Sequence, residues 1–234
     1  MQKYFLNHIE NNNFYLRDND FHHAKNVMRF KINEEIMIIF NNRKILTKLV
    51  AINKDNCKLE IIQELNEDTE LPIKISVAIG LTRNEKMDLI IQKLTELGCH
   101  EITPILMTRS IVNKIDDTKI ERWSKIAKEA AEQSNRNTMP IITPIQKLSD
   151  WVKNKEGYYC YELADTDNQL KLDNFKQENF NYFLIGPEGG IDLKEVEILQ
   201  KAQWKPISLG KRILRMETAT FYLMSVISFL IEKK

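Results

Sequence analysis

The chain is sparing with glycine, having 7 in 234 residues and none before Gly80. Gly186, Gly189 and Gly190 nevertheless crowd into Phe183-Leu-Ile-Gly-Pro-Glu-Gly-Gly-Ile-Asp192, behind an apolar run. Glycine permits positive φ and close backbone approach, so a chain that otherwise avoids it uses it here for geometry. Asp192-Leu-Lys-Glu195 follows and reads as a capping box opening a helix. Strand, glycine turn and helix N-terminus together form a ligand-binding arrangement. A second loop, Leu209-Gly210, again ends a strand. Arg212, Arg215 and Glu217 then lead into a helix whose first N–H groups are free to bind. Two glycine loops at neighbouring strand ends could hold a flat heterocycle by backbone hydrogen bonds. Neither loop is a P-loop or a G-x-G-x-x-G turn, which disfavours ordinary nucleotide folds.

The rest of the chain supplies the setting. Up to about residue 70 short alternating segments read as strands: Phe14–Leu16, Glu35–Phe40, Lys44–Ile52 and Cys57–Ile62, with turns at Asn41-Asn42 and Lys54–Asn56. This pattern suggests a small β-barrel. Among them Asp20–Lys31 reads as a helix with Phe21, Ala24, Val27 and Met28 on one face. His22, His23, Lys25, Arg29 and Lys31 can then point elsewhere, toward phosphate or simply toward solvent. Adjacent histidines do not share a helix face, so no metal site is expected. The acidic stretch Gln63–Pro72 is the linker candidate, giving domains 1–71 and 72–234.

From Ile73 strand and helix alternate. Strands are expected at Ile73–Ile79, Glu101–Leu106, Tyr158–Tyr161, Tyr182–Ile185 and Pro206–Leu209. Helices are expected over Met87–Leu97 with Gly98 as C-cap, from Thr118 to about Gln133, from Asp192, and from about Glu217 to Glu232. Such alternation predicts a parallel α/β sheet with helices on both faces, whose ligands sit beyond the carboxyl ends of the strands.

Composition is that of a globular protein, 43% hydrophobic and 29% charged, with a formal net charge of +1. That balance argues neither for nor against nucleic acid, which needs only a local basic face. Cys57, Cys99 and Cys160 are too few and too scattered for a disulfide framework or zinc site. No apolar run reaches the roughly 18 residues of a membrane span, and Met1–His8 lacks the core of a secretory signal. A cytoplasmic location is expected. No Ser-His-Asp or Cys-His arrangement is legible. Glu188 stands inside the glycine loop, where a carboxylate has little packing purpose. Arg136 could cap a helix end by interacting with its macrodipole, and Arg215 could pair with Glu217 across one residue.

The motifs Glu85-Lys-Met-Asp-Leu-Ile-Ile-Gln-Lys-Leu-Thr-Glu-Leu-Gly98, Ile102-Thr-Pro104, Thr108-Arg-Ser110, Trp123 with Ile126–Ser134 and Arg136, Ile185-Gly-Pro-Glu-Gly-Gly190 and Leu209-Gly-Lys-Arg-Ile-Leu-Arg-Met-Glu-Thr-Ala219 resemble, in order, the ribosomal RNA small subunit methyltransferase E family. The N-terminal part is more loosely similar, through His22 to Arg29. Met216 replaces a customary Thr, and Asn41-Asn42 a common Asp-Gly. The resemblance implies a SPOUT-type trefoil-knotted sheet preceded by a PUA-like barrel, assembled as a homodimer with residues of both subunits at the active site. It implies methylation of N3 of a uridine in 16S rRNA, within the small subunit, using S-adenosylmethionine. By motif position Ile185, Gly186, Gly190, Leu209, Gly210, Ile213, Leu214 and Thr218 would line the cofactor, with Leu163 or Ala164 from the preceding strand end. Glu188 would take the N3 proton and Arg136, with Arg215 in reserve, would stabilise charge on the base. His22, Lys25 and Arg29 would hold RNA. The rivals are a non-catalytic RNA-binding or ribosome-assembly protein and a SPOUT enzyme acting on other RNA.

Overall fold

The computed structural model describes residues 1–112, 117–161, 170–171, 175 and 178–233. The chain divides into two compact units, Met1–Glu70 with Ala131–Thr138, and Leu71–Ala130 with Met139–Lys234.

The N-terminal unit is a five-stranded sheet of β1 (Lys3–Phe5), β2 (Asn13–Arg17), β3 (Glu35–Phe40), β4 (Arg43–Ile52) and β5 (Asn56–Leu65), in the order β1-β3-β4-β5-β2. Asn41 and Asn42 both adopt positive φ, 50° and 62°, which is the backbone a two-residue hairpin requires. Tyr4 from one edge strand and Phe14 and Leu16 from the other share a core with Ile36, Ile38, Leu49 and Leu59, so the sheet curls around it. Register shifts between Leu46 and Thr47 and between Leu49 and Ala51 help that curvature.

The helix expected over Asp20–Lys31 is only partly α-helical. Asp18–His22 forms α1, and His23–Val27 is a π turn closed by Met28 N–H donating to the His23 carbonyl. The extra residue per turn rotates the expected apolar face. Ala24 stays buried, while Val27 and Met28 are 59% and 41% exposed. Phe30 packs on the core in their place.

The stretch Gln63–Pro72 carries unexpected structure. β5 runs through Leu65, Glu67 accepts from the fully buried Lys44 at 3.4 Å, and Thr69 Oγ1 donates to the Asn135 carbonyl at 2.7 Å. Glu70 is the hub of the 131–138 segment. It accepts from Arg136 Nη2 at 2.5 Å and from the N–H groups of Asn137 and Thr138 at 2.8 and 3.1 Å. Burial alone would push its carboxyl up, and the Arg136 hydrogen bond and charge outweigh that, holding it below the usual carboxylate range.

The second unit is an all-parallel sheet of β6 (Lys74–Gly80), β7 (Glu101–Leu106), β8 (Ile141–Ile142), β10 (Gly157–Cys160), β11 (Leu170–Lys171), β12 (Phe180–Ile185) and β13 (Lys205–Ser208), with β9 (Gln146–Lys147) also pairing β7. The order is β11-β13-β10-β12-β6-β7-β8. Its strands alternate between two cores as the two-residue period demands. Val77, Ile79, Phe183 and Ile185 face the cluster built with α2 (Asn84–Glu96), α3 (Asp117–Gln133) and α6 (Met216–Glu232). Ala78 and Leu184 face the cluster of α4 (Leu148–Trp151) and α5 (Leu193–Lys201). Helices thus cover both faces. The periodicity of the strands beyond Ile73 anticipates β6, β7, β10, β12 and β13 to within a residue or two, whereas the two-residue strands and the single turn of α4 are too short to leave a period.

Candidate active site

The loop after β12 is built by contacts that exclude side chains. Gly190 has φ of 76°, and its N–H closes a turn onto the Pro187 carbonyl at 2.9 Å. A Cβ on Gly186 would lie 2.7 Å from Ile191 Cγ1, and one on Gly80, at the end of β6, 2.4 Å from Pro187 N. Backbone therefore packs on backbone where β6 and β12 run side by side. Asp192 and Glu195 form the expected capping box. Glu195, 6% exposed, does more than cap: its Oε2 accepts from Asp192 N–H while Oε1 accepts from Thr108 N–H at 2.7 Å. Arg109 completes this brace from the end of β7, donating to the Gly189 carbonyl at 3.1 Å and to Asp192 at 3.2 Å.

The loop after β13 is open instead. Gly210 has φ of 104°, a value that favours glycine, and a Cβ built there meets nothing within 4 Å among the described residues. Residues 211–215 are irregular, and α6 starts behind an extended Arg215 with no side-chain cap. The first N–H groups of α6 therefore lack intrahelical and capping partners. Ile213 is 84% exposed, and Leu209 and Leu214 are half-buried. The two loops are not at adjacent strands, because β10 lies between β12 and β13. Three strand ends, not two, frame the space between them. Leu163 and Ala164, expected to follow β10, lie outside the described residues.

Acid and base meet between these elements. Glu188 Oε1 accepts from Thr82 Oγ1 at 2.9 Å and pairs with Lys86 Nζ at 2.8 Å; the same Nζ stands 3.5 Å from Glu217 Oε1. The Lys86 and Thr82 hydrogen bonds, with the charge of Lys86, hold Glu188 below the usual carboxylate range. Glu188 also raises Lys86. Arg215 does not pair with Glu217: it is an extended, exposed N-cap with no ion pair among the described residues.

The structure therefore gathers Ile185, Gly186, Glu188, Gly190, Leu209, Gly210, Ile213, Leu214, Arg215 and Thr218 on the two loops and helix start of one unit. Arg136 belongs to the other, where it is 3% exposed against Glu70. His22, Lys25 and Arg29 lie on and after α1, all exposed; Lys25 Nζ sits 5.0 Å above the Phe21 ring and Arg29 has φ of 54°. The site roles of Gly80, Thr82 and Lys86, and the bond from Thr108 to the capping Glu195, escaped the sequence reading. The only available signal was that Gly80, the first glycine of a glycine-poor chain, ends a strand.

Residues 69–228 match the family model of an RNA methyltransferase domain, and residues 16–62 that of an RNA methyltransferase PUA domain. The ribosomal RNA small subunit methyltransferase E of Bacillus subtilis (strain 168) is 34% identical over 98% of this chain and 96% of its own. That of Mesomycoplasma hyopneumoniae (strain 232) is 30% identical over 96% and 98%. A crystal structure of ribosomal RNA small subunit methyltransferase E from Neisseria gonorrhoeae, bound to S-adenosyl methionine, superposes with a TM-score of 0.89 at 28% identity, covering 98% of each chain. With both units matched and the glycine loops in place, the chain belongs to the ribosomal RNA small subunit methyltransferase E family, SPOUT-class RNA methyltransferases with an N-terminal PUA-like domain.

Proposed function

We propose that this protein methylates N3 of a uridine in 16S rRNA of the small ribosomal subunit, using S-adenosylmethionine. The observation that carries the proposal is the pairing of a braced glycine loop bearing Glu188 with an open one leading into an uncapped helix. The residues fit the cofactor. Among the described residues the side of Gly210 is open to a ring and the first N–H groups of α6 are left as donors, and Leu209, Ile213 and Leu214 offer apolar surface for a purine. Ile185, Gly186, Gly190 and Thr218 complete the lining. When bound, S-adenosylmethionine supplies a methyl group already activated on a sulfonium.

What the chain must add is alignment and a nucleophilic nitrogen. The lone pair of uracil N3 becomes available as its proton leaves. Glu188 is suited to receive that proton: Oε1 is held by Thr82 and Lys86, and Oε2 accepts no hydrogen bond among the described residues. Held below the usual carboxylate range by Lys86 and Thr82, Glu188 is ionised but a weakened base, so it accepts the N3–H hydrogen bond, takes the proton only as the new N–C bond makes N3–H acidic, and passes it to water. Charge that spreads onto O2 and O4 needs a cation. Arg215, exposed and without an ion pair among the described residues, is favoured by its surroundings, and Arg136 could serve only with a guanidinium already engaged by Glu70. His22, Lys25 and Arg29, exposed around the π turn, are suited to backbone phosphates. We further propose, on family resemblance, the trefoil knot and the homodimer with shared active sites, and, on the sequence pattern, a cytoplasmic location and the division at 71/72. Glu188→Gln tests the central role: it should lower transfer about a hundredfold while S-adenosylmethionine affinity, read by titration calorimetry, falls far less, because the Gln oxygen still accepts from Lys86 and Thr82. Unchanged transfer would remove Glu188 from the chemistry.

A further inference from the structure

Lys86 lies in the first turn of α2, the positive end of that helix, where a cation is disfavoured by the macrodipole. The surroundings explain the choice. Its Nζ reaches Glu188 at 2.8 Å, in the loop after β12, and Glu217 at 3.5 Å, in the first turn of α6. These two acids come from the two segments proposed to hold the cofactor. Glu217 Oε2 is buried with no hydrogen-bond partner among the described residues, and Lys86 is the cation that compensates its charge there. Thr82 also donates to the same Glu188 oxygen from the β6 end.

We propose that Lys86 is a positioning residue that ties the glycine loop to the start of α6 and thereby sets the separation of the two walls of the cofactor site. It rests on the S-adenosylmethionine reading above. Without the ammonium, two carboxylates face one another, one with an unsatisfied oxygen, and the walls repel. Relief comes from swinging the exposed Glu188 side chain away or from parting the loops, and either one changes the wall that Glu188 forms.

The test is titration calorimetry of S-adenosylmethionine with wild type, Lys86→Met, Lys86→Arg and the double variant Lys86→Met/Glu217→Gln, alongside melting curves. Methionine keeps the apolar stem. The expected result is a Kd about tenfold higher for Lys86→Met, recovery in Lys86→Arg, and partial recovery in the double variant, with melting temperatures close to wild type. Recovery on neutralising Glu217 is a response that mere loss of packing would not give. If Lys86→Met binds as wild type does, or if the double variant binds no better than Lys86→Met, the proposal is overturned. Failure of the wild type itself to bind would instead overturn the cofactor reading.

Discussion

Gly80→Ala is a sharp probe of how the active site is built. The added methyl would lie 2.4 Å from Pro187 N, 2.6 Å from its Cδ and 2.9 Å from its Cα, against an ordinary carbon contact of about 3.5–4 Å. None of these atoms is the far end of a flexible side chain. Pro187 has its φ locked by the ring, and its carbonyl accepts from Gly190 N–H at 2.9 Å. The whole turn must therefore move, by about 1 Å, away from the end of β6. Overpacking of this kind costs about 1–3 kcal/mol, which for a domain of this size lowers the melting temperature by about 2–12 °C. The displaced turn carries Gly186, Glu188 and Gly190, so S-adenosylmethionine affinity should fall as well. Gly210→Ala is the control. It meets no atom within 4 Å but demands φ of 104°, so it costs a local strain of about 1–2 kcal/mol and its main effect should be on binding. Calorimetry and thermal melts of both variants read the difference. A Gly80→Ala protein that melts and binds like wild type would refute the inference that backbone packs on backbone there.

Two further expectations concern the N-terminal unit. Arg136→Ala should destabilise it by about 3–5 kcal/mol, because Glu70 is left as a largely buried unpaired carboxylate. Loss of methyl transfer with an unchanged urea midpoint would instead assign Arg136 to the base itself. The Glu70 carboxyl is held below its ordinary value near 4.5. The stability it contributes is therefore complete above that value and lost as pH falls through the lower folded value. Unfolding followed from pH 6 to 3 should show a steeper decline in wild type than in Glu70→Gln, and equal slopes would contradict the assignment.

What was legible in the sequence is what depends on neighbours in the chain. The two-residue alternation of β2 and of the first half of β5, the Asn41-Asn42 turn and the Asp192–Glu195 capping box all follow from local chemistry. The π turn did not, since Phe21, Ala24, Val27 and Met28 fit an α period and only the competing burial of Phe30 explains the altered face. Long-range partners were equally silent. Glu70 belongs to a run that reads as a solvated linker, yet it is the partner of Arg136, 66 residues on. Lys86 looks like an ordinary surface lysine until Glu188 and Glu217 are brought to it. The insertion of β10 between β12 and β13 is a matter of strand order, which no periodicity encodes. The glycine pattern marked both loops without revealing why Gly80, far upstream, has to be glycine.

The most direct test of the account is transfer of labelled methyl from S-adenosylmethionine to small ribosomal subunits taken from cells lacking this gene, with nucleoside identification. The account predicts label recovered as 3-methyluridine in 16S rRNA. Label in another nucleoside or another RNA would contradict the assigned target, and no label despite measured cofactor binding would contradict the proposed reaction on these subunits.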